Sequence, residues 1–382
     1  MDLTLSETHS MIRDTVRAFA EKHIRPIARE LDEKERFSPE LTRKMGEIGL
    51  FGIVVPQEYG GQGMDYLAYA IACEELARVD GSQAATITAH NSLGVGPLYY
   101  FGNEAQRKRY LPKLCTGEAV WAFGLTEPSA GSDSRGSRTT AKKVDGGWVI
   151  NGSKIFITNG SCELNAGVTV QSVTGKKADG TPELTCFIVE RGTKGFSSRT
   201  MHGKMMWRSS DTSELYFEDC FVPDDCLLGE PGAGSRQMLA TLDCGKIGIA
   251  AMGVGCAQGA YEAALAYAKE RQQFGKPLFE FQAIAFKLAD MAMKIELARN
   301  QLYKTAWMKD NGQRVTKEAA IAKLYSSEIA REVADEAVQI HGGYGLMKEY
   351  DVERFYRDQR LLQIGEGTSE IQRLIISRHL RE

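Results

Sequence analysis

The sequence predicts an α+β protein, a largely helical chain interrupted by a β domain. Three observations carry that reading: helical apolar spacing near the N-terminus, short β-prone runs between about 121 and 230, and a heptad-like apolar stripe in the last third. No internal repeat accompanies them.

In the first segment, 1–120, Ile12, Val16, Phe19, Ala20, Ile24, Ile27 and Leu31 fall on one helical face. Pro26 is expected to kink or divide that helix, because it lacks an N–H and crowds the preceding turn. Gly60-Gly61-Gln62-Gly63 breaks the pattern, and helix resumes from about Tyr66 to Arg78. In the second segment, 121–230, Trp148-Val149-Ile150 follows an Asp145-Gly146-Gly147 turn signal, and Lys154-Ile155-Phe156-Ile157-Thr158 comes soon after. With Thr185–Val189 and Glu214–Phe217 these runs predict a small β-barrel or sandwich. In the third segment, 231–382, Ile284, Leu288, Met291, Ile295, Ala298 and Leu302 step 4-3-4-3-4, which suits an antiparallel bundle. Asp310-Asn311-Gly312 ends that helix. A further helix runs from near Thr316 to about Ile340, and a last one covers roughly 370 to 380.

The 382 residues are 43% hydrophobic and 25% charged, ordinary for a globular protein with more than one core. A net charge of -3, with basic and acidic residues interspersed, gives no electrostatic reason to expect nucleic acid as a partner. The eight cysteines form no CxxC pair, so they read as free thiols in a reducing compartment rather than disulfides or a metal site. The N-terminus lacks a basic region followed by an apolar stretch, and no run approaches the ~18–20 apolar residues of a membrane span. The expected location is the cytoplasm, or an organelle matrix if a transit peptide has been removed.

Two segments carry chemistry. Phe123-Gly124-Leu125-Thr126-Glu127-Pro128-Ser129-Ala130-Gly131-Ser132-Asp133 offers backbone N–H groups, hydroxyls and glycines able to hold a polar ring edge or a phosphate. By itself it reads first as a polar turn leading into a strand. No serine has glycine at both −2 and +2, which removes the main support for a serine hydrolase. Gly253-Val254-Gly255-Cys256-Ala257-Gln258-Gly259 lies in a helical stretch with no strand before it, so its glycines read as close helix packing rather than a dinucleotide loop. The second segment is Gln363-Ile364-Gly365-Glu366-Gly367-Thr368-Ser369-Glu370-Ile371-Gln372. Ser369 and Gln372 have capping-box spacing, placing Glu366 on a Gly-Glu-Gly hinge ahead of a helix. On local sequence, Glu366 reads as a carboxylate complementing the helix dipole.

Together these segments extend to a family. Phe123–Asp133 resembles the acyl-CoA dehydrogenase signature of an aromatic, then TEP, then (A/S)GSD. Lys154–Gly160 resembles its K-x-(W/F)-I-T-N segment, Tyr267–Pro277 its R-x-x-F-G segment, and Gln339–Gly345 its Q-x-x-G-G-x-G motif. Glu366–Gln372 is similar to its terminal EGT(S/N)xIQ. The five motifs occur in order over about 120 to 380.

The resemblance implies an N-terminal helical domain, a middle β-barrel and a C-terminal four-helix bundle enclosing FAD and an acyl-CoA. It implies FAD contacts from Phe123, Leu125, Thr126, Gly131, Ser132, Phe156, Ile157 and Thr158, with Thr368 and Glu370 contacting FAD locally. Arg271, Phe274, Gln282, Gln339, Gly342 and Gly343 would reach the FAD of a neighbouring subunit, so a homotetramer, a dimer of dimers, is expected. Ser132, Asp243, Lys246 and Gly367 would meet the substrate. Glu366 would remove the α-proton while the β-hydride passes to flavin N5, leaving a trans-2-enoyl-CoA. The Glu366 N–H and a flavin ribityl hydroxyl would hold the enolate oxygen, and electrons would leave to an electron-transferring flavoprotein.

Isovaleryl- and long-chain-type relatives carry their base where this chain has Gly245, which leaves Glu366 to serve, as in short- and medium-chain types. Other departures are Lys246 where Arg is usual, Met206-Trp207 where relatives often have Gly and a smaller residue, and Gly365 where many have Tyr. Ala84 stands in the region where glutaryl-type relatives carry an Arg for the distal carboxylate. The expected substrate is a short-chain, branched or cyclic acyl-CoA. The competing readings are an oxidase using O2, a glutaryl- or cyclic-acyl-specialised dehydrogenase and, outside the class, a non-catalytic helical scaffold.

Overall fold

The N-terminal apolar stripe folds as two helices, Glu7–Phe19 and Arg25–Glu33, joined by a π turn at Ala20–Ile24. Pro26 sits in the first turn of the second helix, where a missing N–H is not needed, so the division falls just before it. This computed structural model describes residues 4–380. Further helices begin on capping side chains: Ser38 for Pro39–Glu47, Asp65 for Tyr66–Ala77, Asp80 for Gly81–Ala89 and Asn103 for Glu104–Leu114. Tyr66–Ala77 is buried almost all round, because it packs between neighbouring helices rather than on the surface.

The middle region forms one eight-stranded sheet. From the edge at Phe196–Thr200 the order runs through Thr212–Pro223, Gly147–Thr158, Thr140–Val144, Asn165–Lys176 and Pro182–Glu190 to Leu227–Leu228. Val120–Gly124 joins in parallel against Asn165–Lys176. The sheet curls around a shared core that includes Ile150, Val168, Phe187, Leu215 and Phe217. The two β-prone runs around Trp148 and Phe156 are a single strand. Gly152, at φ 144°, lies where the register shifts against the neighbouring strand and lets the chain bend. Asn165–Lys176 escaped the sequence reading because its centre is buried on both faces and shows no alternation.

Behind the sheet, the long helices Gly234–Glu270, Gln282–Asp310 and Thr316–His341 pack with Val352–Leu362 and Ser369–His379. Gly234–Glu270 is long and apolar enough to cross a bilayer, yet most of that stretch is buried inside the protein. Its glycines are close-approach points. A Cβ on Gly255 would lie 2.2 Å from the Glu74 carbonyl, and one on Gly259 2.2 Å from the Arg78 carbonyl. The last helix corrects the capping-box expectation. Its N-cap is Thr368, whose hydroxyl accepts from the Ile371 N–H at 3.3 Å. Ser369 is already helical and donates to Glu328 at 2.8 Å, and Gln372 turns back towards the hinge. A one-residue offset decides it, because the extended backbone a cap needs is at Thr368.

Candidate active site

After Val352–Leu362 the chain makes a tight turn, with the Gly365 N–H donating to the Leu361 carbonyl at 2.8 Å. Glu366 follows in the left-handed region at φ 54°, and Gly367 at φ 95°. A non-glycine residue holds such a conformation only when its surroundings enforce it. Here Lys323 Nζ donates to the Gly367 carbonyl at 2.7 Å, and Gln372 Nε2 to the same oxygen at 2.8 Å and to the Glu366 carbonyl at 3.3 Å.

The side chain is thereby turned inward against Gly245. A Cβ built on that glycine would stand 1.8 Å from Glu366 Oε2, so only glycine leaves the carboxylate its place. Glu366 Oε2 is buried and has no hydrogen-bond partner among the described residues. Burial pushes the carboxyl up to about 7, against the opposing pull of Lys323 and Lys246. Around it, the Tyr69 hydroxyl lies against Gly248, where a Cβ would meet it at 2.3 Å. Cys244 accepts from the Tyr66 hydroxyl at 3.1 Å. Lys246 donates to Asp243 at 2.7 Å, and Asp243 also accepts from Thr316 at 2.7 Å. The sequence-derived Glu366, Asp243, Lys246, Gly367 and Thr368 thus gather around one hinge, with Glu370 exposed on the first turn beyond it. Gly365 leaves ordinary room, its nearest neighbour being Leu361 at 3.6 Å from an added Cβ.

A second set of the sequence-derived residues lies on the β domain. Phe123 is buried at the end of its strand, followed by half-buried Leu125 and Thr126. The Ile155 N–H donates to the Thr126 carbonyl at 2.9 Å, which sets Thr126 beside Phe156, Ile157 and Thr158. Phe156, at φ 60°, is 64% exposed, while Ile157 is buried and Thr158 half-buried. Gly131 and Ser132 lie exposed on the following loop. That loop is tied down by Glu127, which accepts from Lys154 at 2.8 Å, Ser137 at 2.5 Å, and the N–H groups of Arg138 at 2.7 Å and Thr139 at 3.0 Å. Burial works against the charge on Glu127, but Lys154 and these donors outweigh it and hold the carboxyl at about 2.

A third group lies on the exposed surface of the helical region. Arg271, Phe274, Gln282, Gln339, Gly342 and Gly343 are all exposed, Phe274 to 93%. Arg271, Gly342 and Gly343 line a cavity of about 490 Å³, and the Arg271 guanidinium lies over the Tyr344 ring at 5.6 Å.

These residues fit a flavin dinucleotide. Phe156 is an exposed aromatic ring on the strand that also carries Thr158, with Thr126 paired alongside through its backbone, and Gly131, Gly342 and Gly343 have open space where a side chain would stand, which lets a bulky ligand approach the backbone. Among the described residues no group of His, Cys, Asp and Glu is placed to hold a metal. All eight cysteines are free and buried.

Comparison with known proteins matches residues 6–118, 122–220 and 232–381 to the N-terminal, middle and C-terminal domains of acyl-CoA dehydrogenase. The chain belongs to the acyl-CoA dehydrogenase family. It is 46% identical over 377 residues to a short-chain-specific acyl-CoA dehydrogenase of Clostridium acetobutylicum, covering 99% of each chain. The solved butyryl-CoA dehydrogenase of Megasphaera elsdenii superposes with a TM-score of 0.97 at 43% identity, covering 100% of both chains. A structure from work on the electron transferring flavoprotein of Acidaminococcus fermentans matches at a TM-score of 0.96 and 44% identity, covering 100% of this chain and 99% of the other. Members of the family are FAD-dependent oxidoreductases, and FAD is the cofactor of this one.

Family motifs alone did not reveal Lys323 or Tyr69, and they marked Gln372 without its role as a donor to the hinge carbonyls. Lys323 did leave a signal. It shares a helical stripe with Ala319, Ala322, Ser326 and Ala330, all buried, and a lysine in such a stripe needs a partner.

Proposed function

We propose that this enzyme removes the α-proton of a short-chain acyl-CoA with Glu366 and yields the 2-enoyl-CoA. The observation that carries this reading is the unpartnered, buried Glu366 Oε2 beside Gly245, with its carboxyl raised to about 7. A thioester α C–H is a weak acid, so its removal calls for a dry, positioned base poised near neutral pH. The same hinge leaves the Glu366 N–H with no acceptor among the described residues, available to the thioester oxygen as negative charge develops there. Bound FAD supplies the acceptor for the β-hydride. Phe156, Thr126 and Thr158 form the wall that would orient it, while Ser132, Asp243, Lys246 and Gly367 border the substrate path. Lys246 keeps a positive charge there but not the two-pronged geometry of arginine.

The relatives' short-chain and butyryl names favour a small acyl group, and the ordinary space at Gly365 extends the range to branched or cyclic chains. The likeness to the flavoprotein-associated structure makes an electron-transferring flavoprotein the proposed electron acceptor, with O2 the alternative. Three domains meeting near 120 and 230 make up each subunit. Exposed Phe286, Met293 and Leu297 lie on one face of Gln282–Asp310, which supports a homotetramer in which Arg271, Phe274, Gln282, Gln339, Gly342 and Gly343 serve a neighbour's FAD.

Glu366→Gln tests the assignment. It should retain the flavin spectrum and bind butyryl-CoA, yet lose at least about 10²-fold in anaerobic flavin bleaching. Near-normal bleaching would rule out Glu366 as the base.

A further inference from the structure

The hinge that presents Glu366 is fastened to one neighbouring helix, Thr316–His341. Glu328 of that helix accepts from Gln363 at 3.0 Å and from Ser369 at 2.8 Å, pinning the chain before and after the hinge. Between those pins, Lys323 of the same helix donates to the Gly367 carbonyl at 2.7 Å. Lys323 is fully buried, with no carboxylate in hydrogen-bond contact among the described residues. A buried ammonium bonded only to a peptide carbonyl is costly unless opposite charge lies near.

We propose that Lys323 is a positioning residue for Glu366, clamping the Gly367 carbonyl to hold the left-handed hinge and facing the base with a positive charge at neutral pH. The proposal rests on Glu366 being the base. Two consequences follow from the geometry. Without the clamp, Gln372 alone holds that carbonyl, and the left-handed backbone of Glu366 is free to relax. Without the charge, the carboxylate loses the larger of the two influences that oppose its burial.

The groups around the pair are few. Lys323 is faced by Glu366, Glu370, Glu328 and Lys246, and burial lowers its ammonium to about 8, so it carries its charge at neutral pH. Glu366 is faced by Lys323 and Lys246, with Tyr69, Cys73 and Cys244 as uncharged neighbours whose ionisation it opposes. Lys246 is already paired with Asp243, which leaves Lys323 as the charge able to act on the base without an ion-pair partner of its own.

The test is anaerobic single-turnover flavin reduction by butyryl-CoA in the holoenzyme, followed from pH 6 to 9. Lys323→Met removes charge and donor; Lys323→Gln removes the charge but keeps an amide donor. Both should move the midpoint of the pH profile upward by about one pH unit, the smaller end of the effect of a nearby opposite charge. The high-pH plateau should fall by about tenfold or more in Lys323→Met and less in Lys323→Gln, since only the first frees the hinge. Unchanged midpoints in folded, FAD-loaded variants would overturn the proposal. So would loss of folding in both, which would make Lys323 purely structural. Glu366→Gln in the same assay separates the two readings. If it is silent while the Lys323 variants match the wild type, only the positioning role falls; if it reduces the flavin normally, the base assignment falls first.

Discussion

Replacing Gly245 by alanine adds one methyl group to the wall of the site, at the point where the base rests. In the structure that Cβ would stand 1.8 Å from Glu366 Oε2 and 2.7 Å from its Cδ. Side-chain carbons do not approach other heavy atoms closer than about 3 Å, so the carboxylate must retreat by more than about 1 Å. Helix Gly234–Glu270 can accept the substitution, because alanine is favoured over glycine in a helix interior by about 1 kcal/mol, and the clashing group is the tip of a side chain. Global stability should therefore change little while the base is displaced. A misplacement of about 1 Å costs on the order of 10²-fold in rate. The assay is anaerobic flavin bleaching by butyryl-CoA, with the flavin spectrum and the melting temperature as controls. A Gly245→Ala enzyme that is folded, FAD-loaded and within about twofold of the wild type would show that the carboxylate does not work from beside Gly245.

Further outcomes are expected elsewhere. With the Glu366 carboxyl held at about 7, the base form exists above that pH and is lost below it, so flavin reduction should be about tenfold slower at pH 6 than at pH 8. A profile centred near the ordinary glutamate value of ~4.3 would contradict the burial argument. Lys154→Met leaves Glu127 charged and buried without its ion-pair partner, and should destabilise the protein by about 3 kcal/mol in a denaturant titration and expose the 128–136 loop to proteolysis. Met293→Asp combined with Leu297→Asp should dissociate the assembly in light scattering and weaken FAD retention, because the exposed face of Gln282–Asp310 would then carry charge. A variant that keeps the wild-type mass would show that this face is not an interface. Gly365→Tyr should depress bleaching by isobutyryl- and cyclohexanecarbonyl-CoA more than by butyryl-CoA; equal effects would mean that Gly365 does not border the acyl group.

Part of the site was legible before folding. The glycines flanking Glu366 marked a hinge, and the missing acid at 245 singled out one carboxylate within the family pattern. Helical periodicity located Gln282–Asp310 and Thr316–His341 closely, because their buried faces repeat. The sequence reading did not separate Val352–Leu362 as a helix, although its buried Val352, Phe355 and Leu362 fall on one face, because it rested there on the motif residues that follow. The capping reading missed by one residue, because Thr368 and Ser369 are chemically alike and only backbone conformation tells them apart.

The linear sequence by itself determined the alternation of helical and β segments and the chemistry on offer: one hinge carboxylate, a hydroxyl-rich loop and an ordinary set of unpaired thiols. These follow from local periodicity and residue type, which need no partner to be read. Only the tertiary structure decided that Glu366 Oε2 rests unpartnered against Gly245, that Glu127 and Lys154 tie down the loop, and that Lys323 reaches the Gly367 carbonyl. Each of those joins residues between 27 and 121 positions apart in sequence, so the burial that tunes the charges exists only once the helices have packed.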